Sequence, residues 1–156
     1  MKFKKITLYR DPSVREINIE ELTKFIERTF PLIVEIVDNV FKNFDERQIQ
    51  QLASSRVNDI KSPFRSHEST EDEIDFEQKL CLDSSLMNST VKVEDAEDIS
   101  QVFMYDGFEL QKILRYLNDG ADDLHIVITN RLTCTFDERD GRYHARAVIC
   151  ANPAII

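Results

Sequence analysis

Several features by which proteins declare a function are missing from this sequence. No apolar run approaches the roughly 20 residues that span a bilayer, and Met1-Lys2-Phe3-Lys4-Lys5 is not followed by the apolar stretch of a secretory signal. A cytoplasmic protein with no membrane partner is therefore expected. Cysteine is scarce. Cys81, Cys134 and Cys150 are odd in number and show neither CxxC nor CxH spacing, which argues against a disulfide framework and a zinc finger and marks them as reduced, mostly buried thiols. Basic charge is also scarce, since its one dense cluster is Lys2, Lys4 and Lys5 within a net charge of −9. A phosphate backbone would be repelled, so no nucleic-acid partner is expected. The sequence contains no GxGxxG, no phosphate loop, no internal repeat and no His-Glu-x-x-His helix, the pattern that sets two metal ligands one turn apart with a base between them.

What is present suffices for a folded domain. Hydrophobic residues at 42% and charged residues at 31% match ordinary globular usage and exclude global disorder. The 156 residues suit a single α/β domain, 1–156, with one core.

Along the chain, Lys4 to Tyr9 alternates and is rich in β-formers, and Asp11-Pro12-Ser13 closes it as a first strand. Asn18, with Glu21 three residues on, starts a helix whose stripe is Ile19, Leu22, Phe25, Ile26 and Thr29, and Pro31 ends it. Leu32 to Val37 is nearly continuously apolar, as in a strand covered on both faces, so the chain begins with a right-handed βαβ unit. A second helix starts at Asp45 with Gln48 in the box position, turns Ile49, Leu52, Ala53 and Val57 inward, and stops at Ser62-Pro63. From His67 to Ser100 the pattern dissolves into Glu, Asp and Ser, with short apolar pieces at Leu80-Cys81-Leu82 and around Val91 and Val93, and reads as a flexible acidic insertion.

Order returns with a short strand at Val102 to Tyr105. Asp106 caps a third helix, Glu109 reaches back to it, and Leu110, Ile113, Leu114 and Leu117 form a stripe ending at Asn118-Asp119-Gly120. Leu124 to Thr129 is the most strand-like stretch and belongs at the centre of a sheet. Asp137 to Gly141 is a charged turn, and Tyr143 to Cys150 is a strand whose polar face places it near an edge. The expected fold is a mixed, mostly parallel sheet with three packing helices.

The histidines are His67, His125 and His144. His67 lies in the acidic stretch with nothing beside it to make a site, and His125 reads as a partly buried histidine bonded to a neighbour. A zinc site from His125, Cys134, His144 and Cys150 lacks the close ligand pairs such sites use, so no metal ligand and no catalytic residue is assigned. Arg142, His144 and Arg146 share one face of their strand and form a polar, cationic cluster able to orient a carboxylate or a substrate backbone, or to pair with Asp137, Glu138 or Asp140.

Three stretches carry a resemblance: Leu52-Ala53-Ser54-Ser55-Arg56-Val57, Tyr105 through Arg115, and Leu124 through Ile156, most specifically Leu124 to Glu138 with Arg142-Tyr143-His144-Ala145-Arg146-Ala147. Together they resemble the N-terminal part of an archaeal family of uncharacterised proteins assigned to the metallopeptidases. The Thr129-Asn130-Arg131-Leu132 turn is similar to the archaemetzincin-like arrangement, in which such a turn precedes an edge strand and then the active-site helix. The resemblance implies a metzincin-like N-terminal subdomain, truncated at Ile156, with the zinc ligands and catalytic base of a full-length protein lying further on. It also implies that an edge strand, here within 142–150, holds an extended peptide by main-chain pairing. Asn130 and Arg131 thereby join Arg142, His144 and Arg146 as substrate-edge candidates. The rival expectation is a non-enzymatic interaction module whose acidic segment, His67 to Ser100, binds a basic protein partner.

Overall fold

The computed structural model describes residues 3–12, 14, 17–61, 67–82, 103–118 and 122–156. Strand β1 (Lys5–Arg10), helix α1 (Ile19–Thr29) and strand β2 (Ile33–Asp38) form the expected βαβ unit, with β1 and β2 parallel. Asn18 caps α1 by accepting from the Glu21 N–H at 3.1 Å. Phe30, forced out of the helical region by the following Pro31, ends it in an extended conformation. Strand β5 (Asp123–Ile128) pairs in parallel on the other side of β1, and the short β8 (Ala154–Ile155) pairs with β5. The order is β2-β1-β5-β8, so β5 is internal, as its near-continuous apolarity requires.

A second four-stranded sheet stands where a single one was expected. It contains β3 (Arg56–Val57), β4 (Met104–Asp106), β6 (Leu132–Asp137) and β7 (Arg142–Arg146), in the order β3-β4-β6-β7. Strands β4 and β6 are parallel and the two outer pairs are antiparallel. Gly141, at φ 67°, closes the β6–β7 hairpin and donates its N–H to the Asp137 carbonyl at 2.9 Å. A side chain at that φ is strained.

Four α-helices are described rather than three: α1, α2 (Glu46–Ser54), α3 (Glu71–Leu82) and α4 (Gly107–Ile113), the last running into a 3₁₀ turn, Leu114–Leu117. Asp45 and Gln48 make the expected capping box on α2, and Ile49, Leu52 and Ala53 are buried. Helix α2 stops at Ser54, however, and Val57 sits in β3, because the Ser55 carbonyl is taken by the Asp106 N–H and the chain joins β4. Asp106 caps α4 through the N–H groups of Phe108 and Glu109, while the Glu109 side chain turns to Lys112 instead of reaching back.

The two sheets share one core. Tyr9 and Val127 of the parallel sheet, Tyr105 of the mixed sheet, Leu52, Cys81, Leu110, Leu114 and Ile155 pack together, while Val14, Ile19 and Ile128 form a smaller cluster under α1. Alternation along β5 thus sends Val127 to one layer and Ile126 and Ile128 to the other.

Other expectations fail as well. Strand β2 is at an edge, and Ile33 is 67% exposed, while the buried side of α1, Ile19 with Leu22, packs with Ile126 and Ile128 of β5. Phe25, on the expected inward stripe of α1, also faces solvent. Within 67–100, read as a flexible insertion, residues 71–82 form α3, with Glu77, Leu80 and Cys81 buried. Strand β7 ends at Arg146, short of Cys150, and Ile149 instead bridges to Ile155. The helix stop at Ser62-Pro63, Val91, Val93, Val102 and the Asp119-Gly120 helix end lie outside the described residues.

Candidate functional site

Polar chemistry gathers in three places. The first is a buried four-charge network between the sheets. Glu77 of α3 accepts at Oε1 from Arg56 Nη2 (2.6 Å) and Tyr105 OH (2.7 Å), and at Oε2 from Arg131 Nη1 (2.7 Å). Asp11, just past β1, accepts at Oδ2 from Arg131 Nε (3.0 Å) and Thr129 Oγ1 (2.6 Å). Aromatic faces enclose both guanidiniums: Arg131 lies 4.9 Å from the Phe41 ring and Arg56 4.4 Å from the Phe103 ring. Burial pushes the Glu77 carboxyl up, but Arg131, Arg56 and Tyr105 more than offset this, and it titrates below the ordinary range. Burial likewise opposes the charge on Arg131, and Glu77 overcomes it. The Cys81 thiol beside the network is pushed up to about 12, chiefly by burial, which makes it a poor nucleophile. Two cations and two carboxylates satisfy one another with no solvent access, so this cluster ties elements together and leaves no group available to a substrate.

The second place is a cleft of about 1140 Å³ between α2 and α4, with β3 at its base. His67 lies at its rim, its Nε2 2.8 Å from Glu73 Oε2 and its Nδ1 3.1 Å from Asn58 Nδ2. Glu73 also closes a capping box with Thr70, receiving the Thr70 N–H at 2.8 Å while its own N–H bonds Thr70 Oγ1 at 3.3 Å. Burial raises the Glu73 pKa, and the bonds from Thr70 and His67 bring it below its ordinary value. Deeper in the cleft, Tyr143 OH donates to Asp106 Oδ2 at 2.8 Å.

The third is the β6–β7 hairpin. His144 Nε2 is 2.8 Å from Asp140 Oδ2, Arg142 Nε is 3.5 Å from the same oxygen, and Arg146 Nε donates to Thr135 Oγ1 at 2.8 Å. Asp137, Arg139, Asp140, His144 and Arg146 line a shallow pocket of about 400 Å³. The hairpin therefore brings Arg142, His144 and Arg146 onto one surface. Asn130 is exposed in the turn before β6, and Arg131 points into the core with its side chain fully shielded.

A family model for a probable metallopeptidase family, DUF6775, matches residues 2–156. The chain belongs to the DUF6775 family. No curated protein and no solved structure matches it. Among the described residues no helix is long and apolar enough to cross a membrane.

The family description implies a metal, and the described residues of this DUF6775 chain do not fit one. No group of three or more His, Cys, Asp or Glu among them could hold an ion. His125 is buried, with Nδ1 3.0 Å from Tyr9 OH, and no described group partners its Nε2. Cys134 Sγ bonds the Tyr105 carbonyl at 3.3 Å, His144 is held by Asp140, and Cys150 is exposed.

Sequence reasoning missed Asp11, Arg56, Glu77 and the His67–Glu73 pair. Two signals were available: Thr70-x-x-Glu73 is itself a capping-box pattern, and Glu77 interrupts the Ile74–Leu80–Cys81 stripe, where a charge must be partnered if the stripe is buried.

Proposed function

We propose that this chain is the sheet-bearing, polypeptide-facing portion of a metallopeptidase-like protein, and that any zinc the protein uses is held by residues other than the described ones. The archaemetzincin-like arrangement and an archaeal origin belong to the same reading. The observation that carries it is β7, an outer strand antiparallel to β6 with Arg142 and His144 on its surface. Tyr143 directs its N–H away from β6 to the Ile60 carbonyl at 2.8 Å, so by strand alternation Ala145 is the next residue whose main chain faces outward. An extended peptide pairing there would lie beside the guanidinium and imidazole groups, which suit its carbonyls and carboxylates.

The test has two arms. Calorimetric titration of zinc into the chain is expected to show no tight site, and a stoichiometric submicromolar site would overturn the division between scaffold and metal ligands. Ala145→Pro removes an outward N–H and is expected to weaken the binding of extended peptides to β7. Unchanged binding would remove β7 from the proposal.

A further inference from the structure

The cleft between α2 and α4 is assigned no role by the reading above, and its groups match one class of ligand. Within the antiparallel β3–β4 pair the Asp106 N–H bonds the Ser55 carbonyl at 2.8 Å, so Ser55 and Val57 turn their main chains toward β4. Arg56, between them, turns its N–H and C=O to the open edge of the sheet, and no described main-chain group takes them. That edge lines the cleft. Beside it, Asn58 Nδ2 is spent on His67, and Glu73 fixes the His67 ring from the other side, so the Asn58 carboxamide is held with Oδ1 available as an acceptor. On the facing wall, Gln50 and Gln51 of α2 present exposed carboxamides, and Val57 and Ile113 supply apolar contact.

The cations near this edge are largely cancelled and the lining is acidic in balance. Arg56 is neutralised by Glu77 and Lys112 by Glu109, and of the other charged residues lining the cleft Arg47 is outnumbered by Asp59, Glu68 and Asp106, which disfavours a phosphate. Alternating uncharged donors and acceptors beside a strand edge are what a polypeptide main chain needs. We infer that the α2–α4 cleft binds an extended polypeptide segment, which pairs with the Arg56 main chain and is flanked by the carboxamides of Asn58, Gln50 and Gln51. The inference rests on the reading that this chain holds polypeptide, and it places that polypeptide in a second location, on the Arg56 edge and not on the Ala145 edge of β7.

The experiment uses the full ¹⁵N-labelled chain and, as probe, a pool of short random-sequence peptides with blocked termini at millimolar total concentration, followed by amide chemical shifts. Shifts are expected at Gln50, Gln51, Val57 and Asn58. The double substitution Gln50→Ala with Gln51→Ala lies on an exposed helix face and keeps the fold. It should weaken the apparent affinity about tenfold, the loss of one or two net hydrogen bonds, whereas Ala145→Pro should leave cleft binding unchanged. Shifts confined to 144–146, sensitive to Ala145→Pro alone, would overturn the cleft and leave the β7 reading standing. The absence of shifts at both places would overturn both.

Discussion

Arg131 Nη1 lies 2.7 Å from Glu77 Oε2 across 54 residues of chain, with both side chains fully shielded from solvent. Arg131 follows the central strand β5, and Glu77 belongs to a helix in the acidic stretch, so this pair joins the most strand-like part of the chain to the least patterned one. Taking one member of such a pair away leaves an uncompensated charge in the core. Glu77→Gln leaves Asp11 as the one close carboxylate for Arg131 and Arg56 together, and should cost about 3–5 kcal/mol. Urea denaturation of the two proteins measures this, and a loss below about 1 kcal/mol would mean that packing and not charge pairing holds α3 in place.

Acid should act through the same carboxylates. Glu77 and Glu73 both titrate below their ordinary value in the fold: burial raises each, and Arg131 at Glu77, or the bond from the Thr70 N–H at Glu73, leads the terms that outweigh it. A depressed folded pKa contributes stability that is fully present above the unfolded value, about 4.3 for Glu, and is lost as pH falls through the folded value. Urea midpoints are therefore expected to be flat near neutrality and to fall below about pH 4, more steeply in the parent protein than in Glu77→Gln. Equal slopes in the two proteins would exclude Glu77 as a source of the pH dependence.

His144 and Arg142 share Asp140 at the surface, and exposed pairs of this kind contribute about 0–1 kcal/mol. Replacing His144 and Arg146 together by alanine should leave the melting temperature nearly unchanged while weakening peptide binding on β7. A large drop in melting temperature with binding intact would identify both as structural residues.

Gly107 opens α4 against the Ile149 side chain and the β6 main chain. A Cβ there would meet Ile149 Cδ1 at 2.5 Å and the Cys134 carbonyl oxygen at 3.3 Å. Gly107→Ala should therefore destabilise by about 1–3 kcal/mol through overpacking, despite alanine's better helix propensity. In a double-mutant cycle with Ile149→Ala the two losses should be clearly less than additive. Additive losses would show that the crowding is not with Ile149.

What the sequence determined by itself is short in range. The Asn18 and Asp106 caps, the Asp45–Gln48 box, the α1 stop before Pro31 and the apolar run of β5 each depend on residues a few positions apart, so local periodicity and hydrogen-bonding chemistry made them legible. Tertiary structure decided what depends on distant partners. The apolar run of β2 looks like that of a strand covered on both faces, yet β2 takes the edge of its sheet, paired with β1, and is largely exposed. Val57 continues a helical stripe by spacing but becomes a strand because Ser55 meets Asp106 across the sheet. Glu77 looks like one more acid in an acidic stretch, and only the arrival of Arg56, Arg131 and Tyr105 from three other parts of the chain makes its burial affordable. A buried charge is specified by its partners, and when those lie tens of residues away no local pattern records them.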